Sequence, residues 1–123
     1  MRFHEDERRR FWGDIFDTPF GDINLVVLNP GTTIAWHRHK HQDDHLWCVS
    51  GKLLVEAIHP NGRLRWYLSA PDGRVAIIPR NSWHGYSSPE GATILQFNGP
   101  GKWDGTDEER HPIDEEMPWI LTS

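Results

Sequence analysis

The stretch Gly31-Thr-Thr-Ile-Ala-Trp-His37-Arg-His39-Lys-His41-Gln-Asp43-Asp44-His45-Leu-Trp-Cys48-Val-Ser-Gly51 decides how this chain is read. Four of the chain's eight histidines fall within nine residues of it. Strand side chains alternate between faces, so an extended Thr32–His39 sets His37 and His39 on one face. Ala35 shares that face, and its small side chain leaves room beside them. Asp44 begins the next strand, with Leu46 and Cys48 on its face, and a hairpin there brings Asp44 opposite the two histidines. Asp43 takes that place if the register slips by one. His41 and His45 are expected at the rim.

On both sides of this stretch the pattern is short strands cut by turn signals. Ile23–Leu28 stops at Asn29-Pro30-Gly31, and Leu46–Ser50 closes at Gly51. Lys52–Ile58 and Arg63–Leu68 flank Pro60-Asn61-Gly62, a strong hairpin signal. Arg74–Ile78, Trp83–Ser87 and Ala92–Asn98 complete about eight strands, and no interior stretch carries a helical period. An antiparallel chain of this kind is expected to be all-β, a jelly-roll barrel. Its core spans about residues 20–99, between an N-terminal arm (1–19) and an irregular C-terminal tail (100–123), in a single domain over 1–123. Glu5–Arg10 reads as a helical turn, an added strand or a solvated arm, and Arg8-Arg9-Arg10 as a solvated face.

Composition narrows the classes of function. Of 123 residues, 37% are hydrophobic and 25% charged, and no run approaches a membrane span, so no membrane partner is expected. The charged start Met1–Glu7 lacks the apolar core of a secretory signal, and the single cysteine excludes an internal disulfide. Both point to the cytoplasm, with Cys48 an inert buried thiol. A net charge of −5 argues against nucleic acid as a partner. Seven tryptophans are many for this length and suit a small-molecule site or a subunit contact. Trp36 and Trp83 alternate away from the histidine face and are expected to pack between sheets or against a partner.

A second segment, Gly73-x5-Pro79-x-Asn81-x2-His84, offers a third imidazole from another hairpin. Three neutral imidazoles and one carboxylate (His37, His39, Asp44 and His84) suit a divalent Fe, Mn, Ni, Zn or Cu ion. An octahedral ion held by four protein ligands keeps two positions open for water or substrate. The alternative is a hydrogen-bonded polar cluster in a barrel mouth.

The two spacings, Gly-x5-His-x-His-x4-Asp-x6-Gly and Gly-x5-Pro-x-Asn-x2-His, resemble the two signature motifs of the cupin superfamily. Asp44 stands where that family usually has Glu, and Asn81 where it usually has Gly. Asn tolerates positive φ, so the turn at Asn81 is retained. Trp36-His37-Arg38-His39-Lys40 and Cys48-Val-Ser-Gly51 resemble stretches of sugar-nucleotide 3,4-ketoisomerases. Ile78–Tyr86, and the tail from Asp107–Arg110 to Met117-Pro118-Trp119, are similar to dTDP-4-dehydrorhamnose 3,5-epimerases.

The resemblance implies an isomerase or epimerase that moves a proton beside the carbonyl of a keto sugar, plausibly nucleotide-linked. His37 matches the family's histidine base and His39 the second histidine of the ketoisomerases. Trp103 lies near the position of the epimerases' catalytic tyrosine, and Tyr86 is the substitute acid. A bound metal would replace one histidine's role as a Lewis acid. Arg38, Arg63, Arg65 and Arg74 are placed on strands to meet a diphosphate. The family habit, with the Trp count, implies a homodimer. Two other readings stand beside this one. The first is a metal-dependent oxygenase or lyase on a small organic acid. The second is a non-catalytic cupin that binds a sugar or a metal.

Overall fold

In the computed structural model the described residues are 2–16, 18–70, 73–102 and 108–110, the side chains of Ala35 and of 108–110 excepted. They form ten strands and no helix: β1 (Arg2–Glu5), β2 (Arg9–Gly13), β3 (Asp22–Leu28), β4 (Thr32–His39), β5 (Asp43–His59), β6 (Gly62–Ser69), β7 (Val75–Ile78), β8 (Trp83–Ser88), β9 (Ala92–Gly99) and β10 (Glu108–Arg110). All pairings are antiparallel. One half of the barrel runs β1-β2-β3-β9-β5-β7, and the other runs β10-β4-β8-β5-β6. This is the expected all-β jelly roll, and no helix long and apolar enough to cross a membrane occurs among the described residues.

The two halves share β5. The sequence reads as two strands divided at Gly51, but the chain runs unbroken from Asp43 to His59. Its first part pairs with β9 and β7, and its second with β6 and β8. The pairing with β9 shifts register between Cys48 and Ser50, and Gly51 sits at φ 81°. A side chain at Gly51 would collide with the Gly91 carbonyl oxygen. Glycine here bends a strand from one sheet into the other instead of ending it.

The N-terminal arm is an added strand pair, one of its three expected forms. β1 and β2 form a hairpin, and Arg9, Phe11 and Trp12 of β2 pair with Leu28, Val26 and Leu25 of β3.

Alternation builds the core. Val26 and Leu28 of β3, Ile94 of β9, Leu46 of β5 and Ile34 of β4 are all at most 2% exposed. Val55, Leu53, Leu68 and Ile78 join them, with Phe11 and Trp66 packed against the cluster. Each such side chain stabilises the fold by about 1.5–3 kcal/mol relative to exposure. The core fills only one end of the barrel. On β3 the inward series runs Leu28, Val26, Asn24, Asp22, and on β9 its register partners run Ala92, Ile94, Gln96, Asn98. The same alternation that buries hydrocarbon at one end buries amides and a carboxylate at the other.

Candidate metal centre

Strict alternation along β4 would put Ile34 and His37 on opposite faces. Ile34 pairs with Tyr86 and His37 with His84, so β4 takes three steps where β8 takes two. This bulge re-phases the strand, and Ile34, His37 and His39 all face the interior cavity. The expected place of Ala35 beside the histidines concerns a side chain outside the described residues.

Asp44 reaches the histidines differently from the expected hairpin. β4 pairs with β8 and β10, not with β5. Asp44 lies opposite Ile78 and Asn98 in the other sheet and meets the histidines across the barrel. Its inward neighbours are Leu46 and Cys48, as alternation requires. Cys48 is buried, with Sγ 3.3 Å from the Ser50 carbonyl oxygen, which suits an inert thiol.

His84 is set by the turn before it. Asn81 holds φ 66°, and its N–H donates to the His39 carbonyl at 2.7 Å. Asp43 accepts the Arg80 backbone N–H at 2.8 Å and the Arg80 guanidinium at 3.1 Å. Asp43 therefore clamps this turn to the start of β5, and Asp44, one residue on, is the carboxylate that turns inward. The Arg80 guanidinium holds the Asp43 carboxyl below the usual carboxylate range, against a smaller opposing effect of burial.

His37, His39, Asp44 and His84 are 7%, 4%, 2% and 1% exposed, and one ligand atom from each lies within 4.8 Å of the others. Burial alone would push the Asp44 carboxyl up. The His39 and His84 imidazoles outweigh that and hold it well below its ordinary value. Asp44 Oδ2 lies 2.9 Å from His84 Nε2 and 3.4 Å from His39 Nε2.

The donor set fits a metal ion. His84 Nδ1 is 2.9 Å from the Ser82 carbonyl, a contact that makes Nδ1–H the donor and leaves a lone pair on Nε2. Nε2 faces Asp44 Oδ2 at 2.9 Å, close enough for a shared proton or for a bridging cation. Asp44 Oδ1 is buried without a hydrogen bond. Electron-rich atoms this close need positive charge between them. One proton could serve one pair. Four converging donors match one divalent cation better.

The cluster borders a cavity of about 440 Å³. Tyr86 lines it, buried on β8 two residues from His84. Burial pushes its phenol up; Arg9 beside it opposes this, and the Asp44 charge adds to it. Asp22, Asn24, Gln96 and Asn98 line the opposite wall. Sequence reading missed these four, although Asp22-x-Asn24-x-Val26-x-Leu28 displays the polar-to-apolar change along one face. It missed Arg2, His4 and Arg9 as well, which enter from the N-terminal hairpin.

Arg9 thus corrects the reading of Arg8-Arg9-Arg10 as a solvated face, while Arg8 pairs with Asp6 and Arg10 lies over the Trp12 ring. The four arginines offered for a diphosphate do not line the cavity. Arg38 stacks 4.5 Å over Trp83, Arg65 meets Glu56, Arg74 bonds the Tyr67 carbonyl, and Arg63 is exposed. Trp36 is fully buried and Trp83 half-buried. His41 is exposed, and His45 packs on Phe97 outside the cavity. Trp103 and the 117–119 motif lie outside the described residues.

No protein-family model matches the sequence, and no curated protein matches it. Solved structures do resemble the fold. The capsular polysaccharide assembling protein CapF of Staphylococcus aureus is 20% identical with a TM-score of 0.78, over 91% of this chain and 32% of CapF. Lactobacillus farciminis oxalate decarboxylase, in a formate complex, is 19% identical with a TM-score of 0.75, over 99% of this chain and 35% of that one. A Klebsiella pneumoniae protein with a double-stranded β-helix domain is 20% identical with a TM-score of 0.66, over 86% of each chain. The chain thus spans about a third of the first two. The fold is a double-stranded β-helix.

Two outcomes are expected. Protein loaded with Fe, Mn, Ni or Zn should retain the metal, and His37→Ala or His84→Ala should weaken binding more than about a hundredfold by elemental analysis after dialysis. Affinity should also decline below about pH 6, because protons compete for imidazoles of reference pKa about 6.5. Failure to take up any of the four metals would remove the site.

Asp43→Ala should lower stability by about 1 kcal/mol, the scale of one backbone hydrogen bond with an exposed ion pair. A depressed carboxyl stabilises above its unfolded pKa and loses that contribution as pH falls through the folded value. Wild type and Asp43→Ala should therefore converge in urea melts as pH drops below about 4.

Proposed function

We propose that this chain is a metal-dependent cupin enzyme that moves a proton next to the carbonyl of a keto sugar or a similar oxygen-rich small molecule. The observation that carries this reading is the convergence of three imidazoles and one carboxylate, of which His37 and His39 line a cavity that Tyr86 also lines. The name of CapF as a capsular polysaccharide assembling protein supports a carbohydrate.

A divalent ion bound by His37, His39, Asp44 and His84 would act as a Lewis acid on a carbonyl oxygen. An imidazole that binds a metal has no lone pair left for a proton, so His37 cannot be ligand and base together. In the loaded protein His37 and His39 orient and hold. The cavity's remaining imidazole is His4, whose Nε2 lies 3.0 Å from Asp6 Oδ2. With Nε2–H donating to Asp6, Nδ1 is the proton acceptor. Tyr86, whose phenol burial keeps protonated, donates a hydrogen bond to the developing oxyanion, and His4 returns the abstracted proton to carbon. Without metal, His37 takes the base role that the family resemblance implies. The same ligands would serve a metal-dependent oxygenase or lyase on a small acid, and the likeness to oxalate decarboxylase favours that second reading.

We also propose a homodimer. Trp47, Val49, Val75 and Ile77 are 42–52% exposed on neighbouring strands β5 and β7, and β7 is an edge strand.

The reaction is tested by proton NMR in deuterated water with dTDP-4-keto-6-deoxyglucose, free keto sugars and keto sugar acids. Carbon-bound hydrogen next to the carbonyl should exchange. Chelation should slow exchange on the order of a thousandfold, and Tyr86→Phe about a hundredfold. No exchange with any of them, together with oxygen uptake or decarboxylation of a small acid with Fe(II), would replace the isomerase by the second reading.

Light scattering should report twice the monomer mass, and Ile77→Glu should shift it to monomer. A monomeric wild type at high micromolar concentration would refute the dimer.

A further inference from the structure

Arg9 enters the cavity from β2, outside the strands that carry the four ligand residues. Its backbone is held firmly: its N–H donates to Asp6 Oδ1 at 3.1 Å, and its carbonyl accepts the Asp6 N–H at 3.0 Å. Its guanidinium lies 5.5 Å over the Phe11 ring and beside the Tyr86 hydroxyl. Its Nε is buried and has no hydrogen-bond partner. A guanidinium stays charged at any physiological pH and presents donors in a planar fork. The part of that fork that lines the cavity can donate to a ligand oxygen.

Asn98 lines the same cavity, and its amide suits a hydroxyl. Gln96 and Asn24 line the wall beside it, and Asn24 Oδ1 already accepts the Asp14 N–H. The cavity therefore offers a fixed cation near its N-terminal side, a hydroxyl-binding amide wall, and the ligand cluster. Asp22, buried and lining the cavity, adds a carboxylate of its own.

We propose that Arg9 anchors a carboxylate of the bound molecule, so that the site selects small polyhydroxylated carboxylic acids, sugar acids, over neutral sugars. This rests on the reading above only in placing the reacting oxygen at the ligand cluster. One fork matches one carboxylate. A phosphate dianion would bring a second negative charge into a cavity that already holds Asp22 and borders Asp44. A volume of about 440 Å³ is at the lower end of small-ligand pockets and suits a single sugar unit.

The test is calorimetric titration of the zinc-loaded full chain with D-glucuronate, D-glucose and D-glucose 6-phosphate. Glucuronate should bind at least tenfold more tightly than glucose. Arg9→Gln should abolish that preference with zinc content unchanged, and Arg9→Lys, which keeps the charge but loses the fork, should retain part of it. Equal binding of glucuronate and glucose would overturn the proposal. So would a preference that survives Arg9→Gln, because the carboxylate would then sit on the metal. Tighter binding of glucose 6-phosphate than of glucuronate would overturn the choice of carboxylate. An Arg9-dependent preference in a protein that exchanges no substrate hydrogen would uphold this inference while the reaction reading fails.

Discussion

The Asp44 carboxylate is 2% exposed, and the rest of the site is arranged to meet it. A buried anion is costly unless it is paired. Here three imidazoles converge on it from the opposite sheet, set by two local devices. His37 and His39 share a direction by strand alternation, and the bulge between Ile34 and His37 turns that direction into the cavity. His84 is aimed by its contact with the Ser82 carbonyl and by the left-handed turn at Asn81. Asp44 is carried by a strand whose neighbouring residue, Asp43, grips that same turn through Arg80. The backbone bond from Asn81 N–H to the His39 carbonyl closes the loop among these devices.

The barrel joins stability and chemistry by giving each its own end. Four register pairs between β3 and β9 show the change: Leu28 with Ala92 and Val26 with Ile94 are apolar, while Asn24 with Gln96 and Asp22 with Asn98 are polar. The apolar end supplies the packing that lets the polar end carry buried groups without hydrogen bonds, such as Asn98 Oδ1 and Asp44 Oδ1. β5 ties the ends together, since it carries Asp44 in one sheet and Val55 and Ala57 in the other. Its passage between sheets needs Gly51, which is why a residue that reads as a strand terminator is a corner.

The N-terminal hairpin changes the character of the cavity. Without β1 and β2 its lining would be imidazole, amide, phenol and carboxylate; Arg2 and Arg9 add positive charge on one side. The histidine cluster and the guanidinium of Arg9 thus stand at separate points of one cavity, an arrangement that can fix the orientation of a bound molecule.

Local sequence determined the all-β class, most strand positions and the four residues, His37, His39, Asp44 and His84, that cluster. Turn signals such as Pro60-Asn61-Gly62 act within a few residues, and His-x-His and Pro-x-Asn-x2-His spacings survive in any fold that keeps their strands. The face reading of β4 was right for His37 and His39, but it did not foresee that Ile34 faces the same cavity, because a bulge is set by pairing with β8 and not by local preference. Tertiary structure alone decided that Asp44 meets the histidines across the barrel, that Asp43 serves the turn, and that Arg9 rather than Arg38 or Arg65 reaches the cavity. Those outcomes depend on which strands pair and which sheet faces which. Pairing of distant strands is a non-local choice, made by the summed burial of many side chains, and no spacing within a single segment encodes it.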